Sequence, residues 1–278
     1  MTAPIETLAW GYGLIEGPRT DAEDNLYFSD VHHGGVFRRA PDGTITVVVP
    51  KRRGVGGIAL HAEGGLVVSG RNISHVAPDG TTRVVFAPDA PGLNDLFCDE
   101  QGRVYCGTIR SDPFSDAPDR RAGECYRIDL DGSAREVYGE VSLTNGIGLS
   151  PAGDRLYHAD TGRHRVICHD VVDGRLERRR ALAEHPSFFP DGLAVDEAGT
   201  IWVADYGSDR VVGLDPEGAE IASVAVPARA VTSLCFGGAD RRDLYVVTAD
   251  NTDDPSRGGT VFRTRVDVPG LPVAPARI

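Results

Sequence analysis

The chain has 278 residues with 41% hydrophobic and 25% charged side chains, enough apolar material for a packed core and too much for a disordered chain. Glycine (34) and proline (18) exceed their ordinary share, which calls for many tight turns and argues against a helical bundle. A net charge of −12 disfavours nucleic acid and anionic membranes as partners and suits cation binding.

In chain order, a short apolar run, a polar turn and a second apolar run recur six times. The copies occupy 17–30, 57–70, 95–108, 146–161, 192–207 and 233–248, and each reads as a β-hairpin. A second hairpin follows each first one, several with Asp-Gly or Glu-Gly at the turn; the last, from Gly259 to Val273, is the least clear. Two hairpins make four strands, and the copies start 40, 38, 51, 46 and 41 residues apart, the size of a propeller blade. The pattern predicts an all-β fold: a six-bladed β-propeller with four antiparallel strands per blade, occupying 1–278 as one domain. Inner strands are expected near 17–21, 57–61, 95–99, 146–150, 192–196 and 233–237. The segment Glu6–Gly11 precedes the first copy and is expected to join the last blade and close the ring.

No apolar stretch is long enough for a membrane span, and MTAPIETLAW does not read as a signal peptide, so a cytoplasmic location is expected. Five cysteines, an odd number without a CxxC pair, point to buried thiols rather than disulfides or zinc. No GxSxG, P-loop or HExxH pattern is present.

Aligning the copies places Glu16, Gly56, Asn94, Asn145, Asp191 and Thr232 at the mouth of the central channel. Four of these six carry carboxylate or amide groups. Converging oxygens suit one hard divalent cation, and two carboxylates neutralise its charge. Without a cation, Glu16 and Asp191 would repel each other. Loops between second and third strands should surround the same mouth. They contribute Arg110, Phe114 and Tyr206 as substrate-contact candidates, and His32 and His33, which point in opposite directions if they end a strand. Lys51, Arg52 and Arg53 offer positive charge near the rim, and Trp202 is expected in the core between blades.

Four stretches carry a family resemblance: Ile15-Glu16-Gly17-Pro18; Asn94-Asp95 with Gly107-Thr108; Thr144-Asn145-Gly146-Ile147-Gly148-Leu149-Ser150-Pro151; and Pro190-Asp191-Gly192-Leu193 with Ile201-Trp202-Val203-Ala204. In their order and spacing the chain resembles the senescence marker protein/gluconolactonase/luciferin-regenerating enzyme family of six-bladed propellers. The resemblance implies that Glu16, Asn145 and Asp191 bind the metal and that Asn94 contacts the metal, or the substrate and water beside it. It implies hydrolysis of small, sugar-derived lactones, with the cation (Ca²⁺, Mg²⁺, Mn²⁺ or Zn²⁺) polarising the carbonyl. Asp191 then acts as general base or positions the water. Some sugar-lactone members have an arginine two residues before the Asn94 position; here that residue is Gly92. The same oxygen set is compatible with organophosphate hydrolysis, or with a non-catalytic binding propeller that holds a structural cation. The expected partner is a small lactone, and the expected state a monomer or weak homo-oligomer.

Overall fold

The computed structural model describes residues 4–112 and 121–278. Its strands form six four-stranded antiparallel sheets, the six blades expected from the repeat. The inner strands are Ile15–Thr20, Ile58–Leu60, Gly92–Cys98, Thr144–Leu149, Pro190–Val195 and Val231–Gly237. Five of the six begin two or three residues earlier than the hairpin pattern places them. The reason is local. In each of these five, the pairing with the second strand slips just inside the first residues: between Glu16 and Arg19, Leu93 and Leu96, Thr144 and Ile147, Pro190 and Leu193, and Val231 and Ser233. A bulge leaves residues out of the ladder and re-aims their side chains. Asn94, Asn145, Asp191 and Thr232 all fall inside these slips.

The glycine after a mouth residue lets the next blade come close. A Cβ on Gly146 would stand 2.2 Å from the Leu193 amide nitrogen, so the inner strands of blades 4 and 5 nearly touch there. Apolar clusters fill the spaces between blades. Trp202 packs with Leu234, Phe236 and Phe262 in one of them, and its indole Nε1 donates to Asp196 Oδ2 at 2.9 Å.

The ring closes as expected, through Glu6–Tyr12 pairing with Gly259–Arg265. This closure corrects one expectation. The last blade takes its fourth strand from the start of the chain, so no second hairpin forms after Arg265. The remaining segment instead crosses the far end of the channel. Leu271 N donates to Val195 O, Ala276 N to Leu60 O, and Arg277 N to Gly102 O. Ile278 O accepts from His61 Nε2 and Arg83 Nη2. All five cysteines are buried and unpaired, and burial pushes the Cys98, Cys125 and Cys235 thiols up to about 12. Among the described residues no helix is long and apolar enough to cross a membrane.

Candidate active site

The bulges carry Asn94, Asn145 and Asp191 to one end of the channel, where Glu16, the last paired residue before the bulge of its own strand, also lies. Glu16, Asn145 and Asp191 are buried, and Asn94 is partly so. Asn94 Nδ2 donates to Thr144 O at 2.8 Å and to Asn145 Oδ1 in a short contact. Asn145 Nδ2 donates in turn to Thr161 Oγ1 at 2.7 Å. Gly56 supplies room rather than a ligand: a Cβ there would lie 1.9 Å from Asn94 Oδ1. Thr232 is fully buried and structural, its hydroxyl lying 2.6 Å from Ile15 O and 3.0 Å from Val247 O.

The carboxyls are held under strain of charge. Burial, then the negative charges of Asp191 and Asp95, push the Glu16 carboxyl well above the usual carboxylate range. Burial, then Asp95, does the same to Asp191. Asp191 Oδ1 is buried without a hydrogen-bond partner. An orphaned carboxylate oxygen, a second carboxylate within electrostatic reach and an amide oxygen form a donor set that fits a hard divalent cation. Among the described residues no three His, Cys, Asp or Glu side chains form a metal cluster, so a cation held here would need the amide oxygens as well.

Asp95 and Arg19 were not singled out by the repeat. Asp95 follows Asn94 and accepts from the Leu96 amide at 2.7 Å. Arg19 Nη2 lies 3.7 Å from Asp95 Oδ1 and donates to Leu96 O at 3.0 Å, crossing from blade 1 to blade 3. Arg19 also lines a cavity of about 1780 Å³ that opens at the far end beside Leu271–Pro275. None of the four mouth residues lines that cavity. The converging polar groups lie at the other end, and chemistry rather than volume locates the site.

The rim residues separate. Tyr206 is 38% exposed and feels the charges of Asp191, Asp250 and Glu16, which places it beside the site. Arg110 is engaged: Nε lies 3.2 and 3.0 Å from the Glu124 carboxylate oxygens, and Thr108 Oγ1 donates to the same carboxylate at 2.5 Å. Phe114 lies outside the described residues. His33 Nδ1 lies 2.9 Å from Asp30 Oδ2, and both histidine amides donate to Asp30 Oδ1, so this pair serves the loop. Arg52 is tied to Ser69 O, Asn72 O and Asn72 Oδ1.

A family model described as the SMP-30/gluconolactonase/LRE-like region matches residues 14–250. The chain belongs to this family. It is 32% identical over 279 residues to a pentonolactonase of Haloferax volcanii, covering 93% of each chain. It is 32% identical over 266 residues to a 6-deoxy-6-sulfogluconolactonase of Pseudomonas putida, covering 89% of each. In three dimensions it is similar to a luciferin-regenerating enzyme, with a TM-score of 0.87, 24% identity, and coverage of 99% of this chain and 100% of that one.

Proposed function

We propose that the protein is a lactonase that opens small, sugar-derived lactones, using one divalent cation held by Glu16, Asn145 and Asp191. The observation that carries this reading is the buried Glu16–Asp191 pair, with its unpartnered Asp191 Oδ1. Family membership and two relatives named for sugar lactones support lactones over phosphate esters or a binding role.

When bound, the cation supplies Lewis acidity at the lactone carbonyl oxygen and balances the two carboxylates. Asp191 takes a proton from the attacking water. Water adds to the acyl carbon, the acyl–oxygen bond of the ring breaks, and the proton passes to the ring oxygen, leaving a hydroxy acid. No covalent nucleophile is required, because a lactone is already an activated ester. Asn94, whose Nδ2 is committed to Thr144 O and Asn145 Oδ1, offers its Oδ1 to the substrate or the water. Tyr206 forms a wall of the site. Arg110 bears on the substrate through the Glu124 pair rather than as a free cation.

The test is acid release at fixed pH from a panel of aldonolactones and aliphatic lactones. It is run on chelator-treated protein with Ca²⁺, Mg²⁺, Mn²⁺ or Zn²⁺ restored singly. Cation-dependent turnover of at least one sugar lactone is expected. No turnover with a filled cation site would favour a binding propeller.

A further inference from the structure

Thr161 lies just past the second strand of blade 4, Arg155–Asp160, and touches residues of two blades. Its hydroxyl oxygen is 2.5 Å from Pro190 O and 2.7 Å from Asn145 Nδ2. A hydroxyl carries one proton, and a carbonyl oxygen only accepts, so that proton goes to Pro190. Thr161 Oγ1 can then only accept. Of the two ends of the Asn145 amide, only the NH₂ can face it, and the carbonyl end is turned the other way, toward Asn94 and the axis. The hydroxyl is itself held in place: Thr161 N donates to Leu143 O at 3.0 Å, and Thr161 O accepts from His164 N at 3.0 Å.

We infer that Thr161 is a positioning residue that dictates which end of the Asn145 amide faces the cation. It also links Asn145 of blade 4 to the peptide group just before Asp191 of blade 5. An asparagine has no intrinsic preference between its two orientations. Turned over, it would offer the cation two N–H groups and no oxygen. Blade 4 therefore supplies a usable ligand because the Thr161 hydroxyl, already committed to Pro190, accepts the NH₂ from one side while Asn94 Nδ2 donates to the carbonyl end from the other. This inference rests on the reading of Asn145 as a ligand.

The test is calorimetric titration of chelator-treated protein with Ca²⁺ and Mn²⁺, needing no substrate. Thr161→Val keeps the shape and removes the hydroxyl, and it should raise Kd by about tenfold, the scale of one lost polar contact. Thr161→Ser keeps the hydroxyl and should stay within about threefold of wild type on the same scale. Asn145→Asp presents an oxygen whichever way it turns, so in that background Thr161→Val should leave Kd nearly unchanged. Wild-type affinity in Thr161→Val would overturn the inference while leaving the cation site standing. So would an equal loss in both backgrounds, which marks a merely structural role. If the wild-type protein binds none of Ca²⁺, Mg²⁺, Mn²⁺ and Zn²⁺, the ligand reading itself falls, and the inference with it.

Discussion

Asp191→Asn should move activity and stability in opposite directions. The side chain is 7% exposed, one of its oxygens has no partner, and Glu16 and Asp95 are the charges around it. Asparagine keeps the size and one oxygen that can reach a cation, but it cannot accept the water proton. At saturating cation, turnover should fall by roughly 10²–10⁴-fold, or about 3–5 kcal/mol of barrier, the usual scale for a lost general base. In the cation-free protein the same change removes a buried like charge that acts on Glu16. Relief of that desolvated charge should stabilise the fold by on the order of 1–3 kcal/mol. For a chain of this size each kcal/mol is roughly 2–4 °C in melting temperature. A pH-stat on the best lactone, with cation affinity measured separately so that saturation is assured, reads the first effect. Scanning calorimetry in chelator reads the second. Near wild-type turnover at saturating cation would remove Asp191 as the base. A lower melting temperature in chelator would refute the argument that charge repulsion dominates the empty site.

Other outcomes follow from the same geometry. The folded protein raises the proton affinity of Glu16 and Asp191, so it binds more protons than the unfolded chain. Cation-free stability should therefore fall as pH rises from the ordinary carboxylate range toward the raised values, by up to about 1.4 kcal/mol per pH unit for each proton. Saturating cation should abolish that fall, and calorimetry in buffers of different ionisation heat should show protons released on binding. Glu16→Gln leaves one carboxylate against a divalent charge, and should weaken cation binding by at least tenfold (about 1.4 kcal/mol or more). Gly56→Ala would drive a methyl into Asn94 Oδ1, and should lower kcat up to about 100-fold with the fold intact, the cost of displacing a positioning group by about an ångström.

Repetition made the architecture legible. Six copies of one hairpin pair require six similar sheets, and strand period and turn chemistry are local properties of the chain. The mouth positions were legible for the same reason: an alignment of repeats is an alignment in space. Glu16, Asn94, Asn145 and Asp191 stand out there because polar groups at a crowded axis need an explanation. The tertiary structure decided what depends on the neighbouring blade. The start of the chain was legible as the strand that closes the ring, but only the structure shows that 266–273 adds no strand beside it, because Glu6–Tyr12 already pairs with the edge strand Gly259–Arg265. Arg110 is bound to Glu124, Arg19 reaches Asp95 across 76 positions of sequence, and Gly56 is small because Asn94 occupies its space. Thr161 belongs to the same group. Its residue type is ordinary at the end of a strand, and only the Pro190 carbonyl 29 residues away leaves its oxygen as an acceptor for Asn145. A repeat sets the phase of each strand, but the direction of a hydrogen bond is set by whichever partner the fold brings to the other side.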